Sequence, residues 1–545
     1  MCFDFECILV LQIMEKDKFF YFKAAIFILL LSWFGFFMAK KIDLTTADLG
    51  RHIKNGELFL TSDNKFSGSN SPLYTNFYSY THPDYPVINH HWGSGIIFYL
   101  VWKLAGFIGL SLFYIALSLI VFSIFFRLAV KKSDFATAAL LSAFLIPLMA
   151  HRAEVRPEIF SYFFAAVFFW MLWNWKTGLI NWRWLFVLPA LMILWVNIHI
   201  YFFLGLFLIG AFLFSKVAGI VFSRLTDSDF KVRVKEVKEI TSIFILALLA
   251  SLLNPAGLKG AACPFSIFKN YGYPLIENKS VWFVENYGLV SSNFLLIKIA
   301  VVLLVLSFVL ALAAKRRNFS VVNFCLGIAF GVMACLAIRN FTLFGFFALP
   351  ILAYNVKDIF SLKAGNTSPA KESGLTVLYL LVSVFAIYSN CQFLFQRLDN
   401  RGIGLTPGNN ASAEFFKEEK ISGPIFNNYD IGGYLIFHLY PSNKVFVDNR
   451  PEAYPASFFE EIYKPMQSEN SIWEEKNKLY NFNAIFFYRC DITPWGRNFL
   501  AERLKDPKWA PVFWDDYVVI FLKKNDLNQS LIEKYEISRE HLKQK

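Results

Sequence analysis

Between residues 295 and 314 the chain reads LLIKIAVVLLVLSFVLALAA, with Lys298 its single charge. A helix needs about 20 consecutive apolar residues to cross the hydrocarbon of a bilayer, and inside hydrocarbon every backbone amide has to be satisfied within its own segment. A second such run, AAIFILLLSWFGFFMA, occupies 24–39. On the ~20-residue criterion about eleven spans fall near 19–39, 107–130, 135–150, 157–174, 184–199, 201–223, 240–253, 293–314, 320–338, 341–356 and 375–390, and residues 93–105 read as an interfacial helix. Composition agrees: 56% of residues are hydrophobic and 17% charged, against about 25% charged in a soluble protein. The expected class is a polytopic α-helical membrane protein.

Charge sets the expected orientation. The net charge of +12 needs no nucleic acid, because basic loops on the cytoplasmic side account for it. With the N-terminus inside, the cytoplasmic loops hold Arg127, Lys131 and Lys132; Lys176 and Arg183; Lys216, Arg224, Lys231, Arg233, Lys235 and Lys238; Lys315, Arg316 and Arg317; and Lys357, Lys363 and Lys371. Lys40 and Lys41 are exceptions on the other side. The expected location is the cell (inner) membrane, multi-pass, with residues 1–18 cytoplasmic and the C-terminal part outside. No small-residue cleavage site follows the first run, so it reads as an uncleaved helix, and residues 1–13 ahead of Met14 read as a candidate misassigned start. The expected domains are a membrane domain over 19–390 with a first outer loop at 40–106, a linker at 391–412, and an extracytoplasmic α/β domain over 413–545. In that last part helix-like stretches alternate with the strand-like GPIFNN, KVFVD, AIFFY and YVVIFL. The seven Cys show no metal spacing, and no P-loop or GxGxxG occurs.

Folding this topology onto the polar residues sorts them by side. DLGRHIKNGE (48–57), YTHPDYPVINHHWG (80–93), HRAEVRPE (151–158), NIH (197–199), NPAGLKG (254–260), WFVENYG (282–288) and RNFT (339–342) all fall outside, and so do all eight His. Each has a bland reading: an Arg at a span end snorkels to headgroups as often as it binds substrate, and a Pro after a span only stops a helix. Ionisable groups at membrane depth are costly and usually functional, so their one-sidedness argues for a site. A membrane-embedded site facing outward reaches a lipid-linked donor. Arg grips a phosphate with its fork of donors, and a carboxylate serves as general base or as an oxygen ligand for a divalent cation. The candidate catalytic group is Asp48, Arg51 and His52. The candidate substrate-binding residues are His90, His91, Trp92, Arg156, Glu158, Asn197, His199, Glu285, Arg339 and Asn340.

The stretches ADLGRHIKNGELFL, SYTHPDYPVINHHWGSGIIFYL, RPEIFSYFF, LWVNIHIYFFLGLFLIG, LLNPAGLKG, RNFTLFGFFALP and FNNYDIGGYLIFHLYPSNKVFVDNRPEAY run through most of the chain. Together they resemble bacterial membrane-integral glycosyltransferases of the GT-C class. The resemblance implies a polyprenyl-phosphate sugar as donor, an extracytoplasmic acceptor of unknown identity, transfer with inversion, and the carboxylate of the first outer loop, here Asp48, as the catalytic group. Similar members often carry a second acid two residues before that Asp, where this chain has Thr46. That departure favours a metal-free mechanism over a two-carboxylate metal site. Asp43, Asp84 and Glu158 are the alternative ligands if a divalent cation takes part.

The stretch 426–452 is expected to run from a strand through a turn at Asp430 into a helix begun at Gly432 and Gly433. A second strand, KVFVD, then ends in Asp448, Asn449 and Arg450. Glycine permits close backbone approach there, and polar groups at strand ends of an α/β sheet commonly meet ligands. The order is similar to the WWDYG and downstream Asp-Asn elements of oligosaccharyltransferase catalytic subunits, which implies substrate contacts for Asp430, Asp448 and Arg450; the bland reading of Asp430 is an N-cap. The alternatives to a single-sugar transferase are an oligosaccharyl transferase or ligase and a transporter or flippase of a lipid-linked substrate.

Overall fold

The computed structural model describes residues 3–61, 71–221, 227–266, 269–313, 319–360 and 400–539. Helices α1 (Phe3–Met38), α2 (Leu49–Thr61), α3 (Trp92–Lys132), α4 (Phe135–Met149), α5 (Glu158–Lys176), α6 (Val187–Ile198) and α7 (Phe203–Val221) are followed by α8 (Asp227–Ala250) and the short α9 (Gly257–Ala262) and α10 (Val281–Asn286). Next come α11 (Ser292–Ala313), α12 (Val321–Leu336) and α13 (Phe341–Phe360). Four described segments are long and apolar enough to cross a membrane: Phe20–Met38, Trp92–Lys132, Ile200–Val221 and Ser292–Ala313. Phe135–Met149, Trp182–Ile198 and Val321–Leu336 are apolar but shorter. Helices occupy nearly all the expected span positions, although this length criterion does not reach eleven crossings. The expected span at 375–390 lies outside the described residues.

Local chemistry fixes the helix ends. The Asp134 side chain accepts from Thr137 N at 2.9 Å to start α4, and Ser320 does the same for Asn323 N at the head of α12. Gly106 interrupts α3 at φ 61°, a left-handed conformation that favours glycine, so α3 is two pieces joined by a kink. The bundle core is aromatic, with Phe347 stacked on Phe330 at 4.0 Å and Phe346 on Phe125 at 5.2 Å between ring centroids.

The C-terminal part carries α14 (Ala411–Glu418), β1 (Ile425–Asn427), α15 (Gly432–Leu439), β2 (Ala484–Tyr488), β3 (Trp509–Trp514) and β4 (Val518–Lys523), with further short helices between β1 and β3. The sheet order is β1-β2-β4-β3; β1 and β2 are parallel and the other pairs antiparallel. KVFVD is not a strand of this sheet, which corrects the expectation. It makes one isolated bridge, Val445 to Ser79, and lies beside β1 through the Asn427 side chain, which accepts from Phe446 N at 2.9 Å and donates to Val447 O at 2.8 Å. The WAPVFW edge strand, β3, was not expected. It tolerates Pro511 because an edge strand leaves one side unpaired.

This domain docks on the loop ahead of α2. Ile42 bridges Leu405, Lys40 bridges Arg401, and a Cβ on Gly433 would lie 3.2 Å from Ala47 O, while its neighbour Gly432 packs inside the domain, where a Cβ would lie 2.5 Å from Val447 O. Helix α2 is gripped between two backbones. A Cβ on Gly50 would lie 2.9 Å from Gly433 O, and one on Gly56 2.1 Å from Gly95 O of α3. The residue pattern LGRHIKNGE thus puts a glycine on each packed side of the helix that directly follows the candidate carboxylate.

Candidate functional site

Asp48 lies just ahead of α2. Its Oδ2 is held by Arg51 Nη2 at 3.4 Å and by His52 Nε2 at 3.2 Å, one turn along the helix, while Oδ1 is buried with no hydrogen-bond partner. Arg51 also donates from Nε to Asn449 Oδ1 at 3.3 Å, so the C-terminal domain braces the carboxylate from behind. Burial raises the Asp48 carboxyl, but Arg156, His52 and Arg51 outweigh it and hold it well below the usual carboxylate range. It is therefore ionised at any working pH.

A cavity of about 970 Å³ opens in front of Asp48, between the ends of the helices and the C-terminal domain. Asp48, His90, His91, Arg156, Glu158, His199 and Arg339 all line it. These residues come from five separate stretches of the sequence. His90, His91 and His199 form one wall: the rings of His91 and His199 are 4.9 Å apart and those of His90 and His91 4.2 Å, and the fully buried His52 ring lies 5.4 Å from His91. Burial lowers His90 to about 4, and burial with neighbouring cations also lowers His52 and His91. The wall is thus made of neutral imidazoles that can donate or accept hydrogen bonds.

Arg156, Glu158, Glu277 and Arg339 of the lining belong to an ion-pair network. Arg152 bonds Glu158 at 2.8 Å and Glu277 at 2.7 Å; Arg156 bonds Glu154 at 3.0 Å and lies 3.6 Å from Glu277; Arg339 lies 3.5 Å from Glu158 and 3.6 Å from Glu277. Lys40, an exception to the charge rule, bonds Glu154 at 3.0 Å. Burial raises the Glu277 carboxyl, and Arg152, Arg339 and Arg156 more than reverse that. Glu277, Asn278, Lys279, Tyr85, Tyr201, Tyr271, Tyr273, Glu452 and Tyr454 also line the cavity and were not anticipated. Most sit in the 263–279 segment or beside the C-terminal domain, where no periodicity or motif marks them; the polar tripeptide ENK was the available signal.

Other candidates lie away from the cavity. Trp92 donates to Asn197 Oδ1 at 3.1 Å, and Asn197 donates to Leu253 O at 2.8 Å, so this pair ties α3, α6 and the end of α8 together. Glu285 is spent on Lys298 at 2.6 Å. Asn340 is buried, donating to Met333 O at 2.9 Å and accepting from the Tyr201 hydroxyl at 3.4 Å. Asp448 and Arg450 pair with each other at 2.6 Å, fully inside the protein, and Arg450 also bonds Asn76 at 2.6 Å. Their neighbours Pro451 and Glu452 reach the cavity instead. Asp430 is neither a cavity residue nor a cap: the residue ahead of α15 is Ile431, with no side-chain cap bond. Burial, and then Asp491, push its carboxyl up to about 7.

The residues present do not fit a bound divalent cation. Among the described residues no group of three or more His, Cys, Asp or Glu is placed to hold one. Asp43 is consumed by Thr45 and Asn409, Asp84 is exposed, and Glu158 sits between two arginines. Beside Asp48 stand guanidinium groups, which repel a cation.

No protein-family model matches the sequence, and no curated protein matches it. Solved structures do match its shape. The Archaeoglobus fulgidus oligosaccharyltransferase tethered with an acceptor peptide superposes with a TM-score of 0.59 at 12% identity, over 93% of this chain and 74% of that one. The same organism's oligosaccharyltransferase AglB, in complex with an inhibitory peptide and a dolichol-phosphate, gives 0.56 at 12%, over 90% and 72%. ArnT from Cupriavidus metallidurans in the apo state gives 0.52 at 13%, over 93% and 98%. At these identities the likeness is one of architecture, and it extends over nine-tenths of the chain: the protein has the fold of these oligosaccharyltransferase and ArnT structures.

Proposed function

We propose that the chain is a glycosyltransferase that moves a sugar from a polyprenyl-phosphate-linked donor to an extracytoplasmic acceptor, with Asp48 as the catalytic carboxylate. The observation that carries this reading is Oδ1 of Asp48, a buried anionic oxygen with no donor, on a residue that lines the same cavity as Arg156 and Arg339. An unpaired buried acceptor is costly, and an acceptor hydroxyl would satisfy it. The AglB structure holding a dolichol-phosphate supports a lipid phosphate as the donor's handle.

In this reaction the acceptor hydroxyl donates its hydrogen to Asp48 Oδ1, and its oxygen attacks the anomeric carbon of the sugar. The bond from that carbon to the phosphate oxygen breaks on the opposite face, so the centre inverts. The electron pair leaves with the lipid phosphate, whose charge Arg156 and Arg339 stabilise. Asp48 is a weak base, so it orients the hydroxyl early and takes the proton late, when attack on an oxocarbenium-like carbon has made that hydroxyl acidic. Arg51 and His52 hold the carboxylate in place. No step requires a metal ion. The orientation follows from this reading: the cavity and the C-terminal domain face outward and the N-terminus is cytoplasmic.

A second reading, transfer of a whole glycan, draws on the cavity's about 970 Å³, which exceeds the needs of one sugar. Mass spectrometry of surface glycans and lipid-linked sugars from a strain lacking the protein tests both. Accumulation of a monosaccharide-loaded lipid phosphate, with loss of that sugar from a surface glycan, is the expected result. Accumulation of an oligosaccharide-loaded lipid would favour the second reading, and an unchanged lipid and glycan profile would sink both.

A further inference from the structure

Glu277 belongs to the short turn Ile276–Asn278, and three guanidinium groups share its carboxylate. Oε2 accepts from Arg152 Nη1 at 2.7 Å and lies 3.6 Å from Arg156 Nη1; Oε1 lies 3.6 Å from Arg339 Nη1. A carboxylate and a phosphate compete for the same forked donors. Glu277, Arg156 and Arg339 all face the cavity, and the Glu277 side chain is 26% exposed. The other cavity carboxylate in this network, Glu158, is 8% exposed at the head of α5.

We propose that Glu277 is a placeholder for the donor's phosphate, displaced when the lipid phosphate enters and returned when the lipid leaves. The inference rests on the lipid-phosphate reading above. It assigns Glu277 a role in setting donor affinity: it keeps the arginine forks oriented and charge-compensated between turnovers, and a headgroup without a negative charge cannot displace it. The exchange needs only a side-chain rotation. The backbone of the turn stays anchored, because Ile338 N donates to Lys279 O at 3.1 Å and Lys279 N donates to Ile276 O at 3.0 Å. No covalent bond changes; one anion replaces another.

The test uses the full chain in nanodiscs of neutral lipid, titrated with undecaprenyl phosphate. Glu277→Gln should bind it about tenfold more tightly than the wild type, the order expected when a competing ion pair is removed. Its thermal midpoint without ligand should be lower, and undecaprenyl phosphate should restore it. Equal or weaker binding by the folded variant overturns the placeholder and leaves the lipid-phosphate reading standing. Absence of binding by both proteins overturns both. If the variant does not fold, a structure of the wild type with undecaprenyl phosphate decides: the phosphate should lie between Arg156 and Arg339 with Glu277 turned away, and Glu277 still in contact with Arg152 and Arg156 overturns the inference.

Discussion

Asp48 is clamped by Arg51 and His52 on one oxygen and left without a partner on the other, which makes it the residue to test first. Asp48→Asn keeps the shape and an acceptor for both neighbours, so we expect transfer to fall by at least about 10²-fold, the scale of a lost acid–base group. The thermal midpoint should change far less; a variant with wild-type turnover would remove Asp48 from the mechanism. Asp430 makes the opposite kind of prediction. Its carboxyl is raised to about 7 in the folded protein, whereas in an unfolded chain an Asp titrates near ~3.9. Between those values the folded state holds the proton and the unfolded state does not, so stability falls as pH rises through that window and levels off above it. Asp430→Asn should remove this loss. Thermal melts of the two proteins should nearly coincide near pH 4, and the variant should melt higher at pH 8; an equal or lower melt at pH 8 contradicts the assignment.

At the scale of elements, α2 carries the site because its glycines let it lie against two backbones. Gly56→Ala would place a Cβ 2.1 Å from Gly95 O, forcing α2 and α3 apart. We expect a cost of about 1–3 kcal/mol, as for overpacking, with a fall in kcat as the clamp around Asp48 shifts. A melt and a rate equal to wild type would show that the helices part without consequence. This packing also explains what was readable in advance. Apolar runs placed the helices, because burial and lipid exposure both select for apolar side chains, and the pair Gly432–Gly433 marked a close approach, whereas those at Gly50 and Gly56 went unread. The sequence did not disclose that KVFVD would be held by the Asn427 side chain rather than by a sheet, nor that β3 would accept Pro511, since both depend on distant partners. The same holds within the site. Asp448 and Arg450 carry the residue types of a binding edge, yet they neutralise each other inside the fold, while Glu277 became central only through three arginines from two other segments.

Across the whole molecule, the pair Asp448–Arg450 bonds Asn76 and so joins the segment between α2 and α3 to the C-terminal domain. Asp448→Ala would leave the Arg450 guanidinium buried without its counter-ion, a loss on the order of 3–5 kcal/mol. We expect a lower melt and faster proteolysis around residues 71–90; an unchanged digestion pattern would show that the interface holds without the pair. The reach of these contacts has a temporal side. Lys40 and Ile42 wait for Arg401 and Leu405, Ser79 for Val445, and Arg51 for Asn449, so the loop that bears Asp48 is translated early and completed late. Under the proposed function, a nascent chain stays inactive until the segment through Asn449 has been synthesised and folded, so translation itself would time the onset of activity.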